Sequence, residues 1–358
     1  MFHNFNAGPA ILPVEVKERL AELVRGSTKS LSIIELSHRS KEFEEVIEEA
    51  KALFKELNGL SDDFEVLFLQ GGASLGFVIA ALNFMKEGQS ALYINTGHWS
   101  QKAYEEALRI GTAVSYPLPE KVDRYTLPTI PSHIIKGKYS YVHFTSNNTI
   151  EGTMWQNLPD GWEAPIIIDM SSDIMGRPFD YSGIALVYAG AQKNLGPAGT
   201  TIYVVNKKML PSTNRKIPRI LSLETHIKEK SLYHTPCVFA IYGVWLTLKW
   251  IKEKGGIKAI YKQNLKKASM LYEVLDASPV FYPFVRESQH RSIMNVTFGI
   301  KKPELAQKFE DMCREAKITG IKGHRSVGGY RASLYNALPI ESVSVLIEII
   351  REIERTGG

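Results

Sequence analysis

Lys193 is hemmed in by glycine and proline. It lies in Ala189-Gly190-Ala191-Gln192-Lys193-Asn194-Leu195-Gly196-Pro197-Ala198-Gly199, between the apolar run Ile184 to Tyr188 and a second strand-like run, Thr200 to Val205. Each run reads as a short buried strand, and the interval leaves no room for a helix. The lysine is therefore expected on a tight strand-to-strand loop, close to backbone and short of freedom. An amine held in that way is suited to attack a carbonyl and form a Schiff base.

Such a link becomes useful with an electron sink, and pyridoxal phosphate is one. A carboxylate beside its pyridine nitrogen favours the charged ring, and Asp169, at the end of the apolar run Ile166 to Ile168, suits that place. A flat side chain such as Trp99 can stack on the ring. The strand-like run Phe64 to Leu69 leads through Gln70-Gly71-Gly72-Ala73-Ser74 into a helix expected from Leu75 to about Lys86. Strand, glycine turn and helix start together present free N–H groups to a phosphate. The Ala73 and Ser74 amides, with Thr235, are candidates to hold it, and Thr149 to bond the ring hydroxyl or the phosphate. The turn is neither GxGxxG nor GxxxxGK[ST], so it gives no support to nucleotide binding.

Arginines point to the substrate. A guanidinium holds a carboxylate through two parallel hydrogen bonds, and Gly323-His324-Arg325-Ser326-Val327-Gly328-Gly329-Tyr330-Arg331 carries two arginines in a glycine-rich loop. His38 and Arg39 precede a helix whose N-cap is expected at Ser40. Together His38, Arg39, His324 and Arg325 offer more positive charge than one carboxylate needs, and a phosphorylated side chain, near two negative charges at neutral pH, fits them better.

The elements that must position these residues alternate. Strands are expected at 64–69, 92–95, 141–145, 166–168 and 184–188, and helices at 13–23, 40–57, 75–86 and 99–110. That pattern predicts an α/β domain with a mostly parallel sheet. In such sheets ligands sit beyond the carboxyl ends of the strands. Ser74, Trp99, Thr149, Asp169, Gln192 and Lys193 all lie at or just past such an end, which argues for one site. A helix from Pro236 to Lys254 with an aromatic stripe reads as core or subunit interface. After Gly255-Gly256 come a helix to about Asp276, strands near Phe281, at 293–298 and at 331–334, and helices at 304–316 and 340–354. The expected division is a large cofactor-binding domain, 13–258, and a smaller α+β domain made of 1–12 and 259–358.

Net charge is +5 with no run of five like charges, so no nucleic-acid footprint is visible. The two cysteines, Cys237 and Cys313, form no CxxC pair, and no Cys/His cluster has zinc spacing, so no metal site is expected. No apolar run approaches the roughly 18 residues of a membrane span. No secretory leader is visible at the N-terminus, and a cytoplasmic location is expected.

These segments, together with Phe5-Asn6-Ala7-Gly8-Pro9-Ala10, Ser37-His38-Arg39-Ser40-Lys41-Glu42-Phe43 and Asn148-Thr149-Ile150-Glu151-Gly152, resemble the phosphoserine aminotransferases, of the class V group of fold-type I pyridoxal-phosphate enzymes. The resemblance implies that Lys193 carries the cofactor, with Asp169 on the pyridine nitrogen and Trp99 stacked on the ring. It adds Ala73, Ser74, Thr149 and Gln192 to the cofactor site and gives Arg331 the α-carboxylate. His38, Arg39, His324 and Arg325 take the phosphate, or the γ-carboxylate of glutamate. It implies L-glutamate and 3-phosphohydroxypyruvate as substrates, a place in serine biosynthesis, and a homodimer with active sites at the subunit interface. Whether 4-phosphohydroxythreonine, of pyridoxine biosynthesis, is also used stays open. One departure stands out: His234-Thr235-Pro236 replaces the family's Asn-Thr-Pro. That Asn-Thr pair reaches the cofactor phosphate from the neighbouring subunit, so His234 and Thr235 are candidates for the same contact. The alternatives are another class V transaminase acting on alanine or serine with glyoxylate or pyruvate, a cysteine desulfurase, and a non-catalytic cofactor carrier.

Overall fold

The computed structural model describes residues 2–27, 30–212 and 215–357. In chain order the first half runs β1 His3–Asn4, α1 Val14–Arg25, α2 Lys41–Asn58, β2 Phe64–Leu69, α3 Gly72–Phe84, β3 Ala91–Ile94, α4 His98–Leu108, β4 Ala113–Tyr116, α5 Ser132–Ile135, β5 Val142–Thr145, β6 Ile166–Asp169, β7 Ile184–Gly190 and β8 Thr201–Asn206. The second half adds α6 Leu223–Lys228, α7 Val238–Glu253, α8 Gly256–Ala277, β9 Phe281–Pro283, β10 Asn295–Ile300, α9 Ala306–Glu315, β11 Ile318–Thr319, β12 Tyr330–Ser333 and α10 Ile340–Gly357.

The sheet that carries the site has the order β2-β8-β7-β6-β5-β3-β4. Strands β7, β6, β5, β3 and β4 pair in parallel, while β8 runs antiparallel to both β2 and β7. Register sets Thr145 beside Asp169 and Asp169 beside Tyr188, so β5 and β6 end together and β7 runs two residues further. β3, β5, β6 and β7 are buried at every position. They read as continuous apolar runs because helices cover both faces of a parallel sheet. One face packs on α2 and α7 through Phe43, Ile47, Phe54, Ile241 and Leu248, and the other on α3 and α4 through Phe77, Ala80, Ala103 and Ala107.

α2 shows how local sequence sets an element. Ser40 Oγ accepts a hydrogen bond from the Phe43 N–H at 3.3 Å, Glu42 and Glu44 occupy the first turn, and Gly59 ends the helix at φ 64°. That φ is left-handed, where glycine has no Cβ penalty. At α3 the expectation needs correcting. The helix begins at Gly72, not Leu75, so Ala73 and Ser74 belong to its first turn rather than to the turn before it. β10 lies two residues beyond the expected strand, and β4 and α6 were not anticipated.

β12, β10 and β9 form a separate antiparallel sheet with its own core, including Phe281, Phe298, Phe309 and Leu346. Side chains tie it to the large sheet's carboxyl edge. Asn147 Nδ2 donates to Asn295 Oδ1 at 2.8 Å, and Thr297 Oγ1 donates to the Glu151 carbonyl at 2.8 Å. The buried Lys267 amine donates to the carbonyls of Leu334, Tyr335 and Leu338 at 2.9, 2.7 and 3.2 Å, fixing the chain that leaves β12. Arg331, on β12, is thereby held in a fixed relation to the loops that follow β5, β6 and β7.

Candidate active site

The loop after β7 is bonded on both sides of Lys193. Gln192 gives its carbonyl to the Ala10 N–H at 2.8 Å, and Asn194 Oδ1 accepts from the Asn336 N–H at 3.1 Å. The Leu195 and Gly196 N–H groups both return to the Ala191 carbonyl. Lys193 Nζ donates to Thr149 Oγ1 at 2.8 Å. The side chain keeps some surface because it lines a cavity. Burial lowers the amine to about 8, against the pull of Asp169, which favours the ammonium form.

Asp169 closes β6. Its Oδ1 accepts the Ser171 N–H at 2.9 Å, and Ser171 Oγ accepts the Gly190 N–H at 3.1 Å. Burial raises the carboxyl above its usual range, and the Ser171 bonds and the Lys193 charge oppose that rise. α3 points its first turn at the same space. Its opening N–H groups have no intrahelical acceptor, and they sit at the positive end of a 13-residue helix. Trp99 is the second residue of α4, and its Nε1 has no hydrogen-bond partner among the described residues. One cavity of about 160 Å³ is lined by Ala73, Ser74, Trp99, Thr149, Asp169, Gln192 and Lys193 together. Asn147, Ser171 and Ser172 line it too and were missed. Ser171 and Ser172 directly follow Asp169, so the strand-end rule that found Asp169 could have found them.

Arg331 reaches this space from β12. Its Nη1 donates to the Thr149 carbonyl at 3.3 Å, and its Nε is buried without a partner among the described residues. Burial lowers its proton affinity, while Tyr335 and Glu151 raise it. His324 precedes β12 and stands within electrostatic reach of Arg331 and the exposed Arg325. His38, Arg39, His234 and Thr235 are not among the residues lining the cavity of their own chain. Arg39 Nε donates to His38 Nε2 at 3.4 Å, and Arg39 and Thr235 are exposed. The His234 imidazole stands 5.7 Å from that of His226. Burial first, then His226 and His38, lower its proton affinity. The candidates thus fall into two groups, one around Lys193 and Arg331 and one around His38 and His234.

The family profile of the aminotransferases of class V matches residues 2–346. The chain belongs to that family. Within it, the chain belongs to the phosphoserine aminotransferases. It is 48% identical over 355 residues to the phosphoserine aminotransferase of Flavobacterium johnsoniae, covering 98% of each chain. The solved phosphoserine aminotransferase of Bacillus circulans subsp. alkalophilus is 43% identical, superposes with a TM-score of 0.93, and is covered to 98% by 99% of this chain. A pyridoxal-phosphate-bound phosphoserine aminotransferase from Trichomonas vaginalis is 35% identical with a TM-score of 0.91, with 98% of this chain covering all of it. No helix among the described residues is long and apolar enough to cross a membrane, and no cluster of His, Cys, Asp and Glu among them suits a metal.

Proposed function

We propose that this chain uses pyridoxal phosphate to move the amino group of L-glutamate to 3-phosphohydroxypyruvate, giving O-phospho-L-serine and 2-oxoglutarate. The observation that carries this reading is the shared cavity. An amine, a carboxylate, an indole and a helix N-terminus converge on one cavity, each suited to a different part of the cofactor. When bound, pyridoxal phosphate supplies a carbonyl and an electron-withdrawing ring that let an amino acid lose its Cα proton.

Lys193 Nζ holds the cofactor and then carries the proton at substrate Cα. An amine near 8 is neutral often enough at physiological pH to accept that proton and acidic enough to return it. Asp169 pairs with the pyridine nitrogen, whose positive charge replaces the solvation the buried carboxylate has lost. Trp99 covers one ring face. The first-turn amides at Ala73 and Ser74 receive the phosphate, with Thr149 and Gln192 completing the site. Arg331 binds the α-carboxylate through its guanidinium fork. His324 and Arg325 receive the distal phosphate or the γ-carboxylate.

His38 and Arg39 serve that same distal group, and His234 and Thr235 serve the cofactor phosphate, in the cavity of a second copy within a homodimer. The exposure of Leu31 at 68% and Ile34 at 66% on the segment leading to His38 supports this reading. We place the enzyme in the cytoplasm, in keeping with two free cysteines. Burial pushes the Cys313 thiol up to about 12, which leaves it protonated and argues against that thiol as a desulfurase nucleophile.

Borohydride reduction of the cofactor-loaded protein, followed by peptide mapping, is expected to leave a pyridoxyl group on Lys193. A label on another lysine overturns the assignment.

A further inference from the structure

We propose that His98 is a specificity-determining residue whose imidazole, paired with that of His324, receives the distal phosphate of the substrate. This rests on the functional reading above. His98 opens α4, immediately before Trp99. Its position is fixed from behind. The fully buried Glu151 carboxylate accepts the His98 N–H at 2.8 Å. A side chain at Gly97 would have its Cβ 2.4 Å from the Glu151 carboxyl carbon, so backbone and carboxylate are in close contact there. Helix start and carboxylate thus move as one unit, and the imidazole has a defined place.

That place is between two parts of the site. The His98 ring meets the Trp99 ring edge-on with centroids 5.1 Å apart, and Trp99 is a wall of the Lys193 cavity. The His324 ring is 5.7 Å from that of His98, and His324 stands within electrostatic reach of Arg331. A substrate with its carboxylate on Arg331 and its reacting carbon at Lys193 has its other end left to place. The two imidazoles, one next to Trp99 and the other near Arg331 on the same chain as Lys193, are placed to meet that end.

Charge fits an anion of more than one unit. Lys102 on α4, His324, and Arg124 on the loop after β4 all lower the proton affinity of His98, after burial, and Glu105 raises it. Burial also raises the Glu151 carboxyl at the rear, opposed by the His98 N–H and by the charges of Arg124 and Arg331. An imidazole among these cations donates a hydrogen bond while neutral and takes up a proton when a dianion arrives. A γ-carboxylate, with one charge, draws on the pair less.

The test compares the two half-reactions. In His98→Ala the KM for 3-phosphohydroxypyruvate is expected to rise roughly 10-fold or more, as for loss of a charge-assisted hydrogen bond, with the glutamate half-reaction within about twofold of wild type. His98→Gln, which keeps a donor, is expected to recover much of that loss. Inorganic phosphate binding to the cofactor-loaded protein, read by calorimetry, should weaken in parallel. Equal losses for both substrates would mean that His98 acts through Trp99 and would overturn the proposal, as would unchanged kinetics. A wild-type protein that does not turn over 3-phosphohydroxypyruvate would overturn the functional reading itself, and this inference with it.

Discussion

Lys193 and Asp169 set each other's protonation. Burial pushes the amine down and the carboxyl up, and each favours the charged form of the other. Only a neutral amine attacks a carbonyl, so cofactor capture by the cofactor-free protein should quicken as pH rises through about 8, the value at Lys193. In Asp169→Asn the supporting negative charge is gone, the lysine falls further, and the midpoint of the capture profile should move to lower pH. Stopped-flow measurement of cofactor uptake across pH checks this. A midpoint that stays fixed or rises would show that Asp169 does not act on Lys193. The same variant should bind the cofactor more weakly by about 1.5–3 kcal/mol, the cost of a lost charge-assisted bond. These residues were legible in the sequence because each sits at the end of an apolar run, a local signal. Which basic residues share their cavity was not legible. Arg331 stands within electrostatic reach of Lys193 and His324 within reach of Arg331, while His38 stands near His234, and that depends on how β12 and the segment before α2 are carried in space.

At the scale of elements, the α3–β7 contact decides where the phosphate-facing amides stand. A Cβ at Gly76 would lie 2.6 Å from Tyr188 Cδ2, so the helix approaches the strand as closely as only glycine permits. Tyr188 has no room to yield. It is fully buried, and its hydroxyl bonds His143 Nε2 at 2.6 Å. Burial lowers His143 to about 3, so that ring is neutral at working pH and the pair persists. Gly76→Ala should therefore displace α3, costing about 1–3 kcal/mol in stability by overpacking and weakening cofactor binding through the shifted Ala73 and Ser74 amides. Thermal melts and cofactor titration check both. An unchanged melting temperature with wild-type cofactor affinity would contradict the account. Long elements were readable from their periodicity, as α2 and β2 were, the latter at the expected residues 64–69. The start of α3 was not, because Gly71-Gly72 reads as a turn although the second glycine already opens the helix. β4 escaped because Ala-Val-Ser-Tyr is a four-residue edge strand, short of a clear run and with Val114 facing solvent.

At the scale of the whole molecule, the two groups of candidate residues form one site only if a second copy brings His38, Arg39, His234 and Thr235 to the Lys193 cavity. Sedimentation should find a dimer. Leu31→Asp combined with Ile34→Asp, at apolar side chains exposed in the single chain, should shift it toward monomer. Cofactor affinity should fall at the same time, since the phosphate loses its donors from the partner. A wild-type monomer that binds cofactor fully would contradict this. The central claim is that nitrogen passes from glutamate to a phosphorylated keto acid by way of the cofactor that Lys193 would hold. Its most direct test is to give the cofactor-loaded protein glutamate labelled with heavy nitrogen together with 3-phosphohydroxypyruvate, and to follow the label by mass spectrometry. The account predicts labelled O-phosphoserine with an equal amount of 2-oxoglutarate, and neither product with Lys193→Ala. Label that stays in glutamate, or that passes to pyruvate or glyoxylate but not to the phosphorylated keto acid, would contradict it.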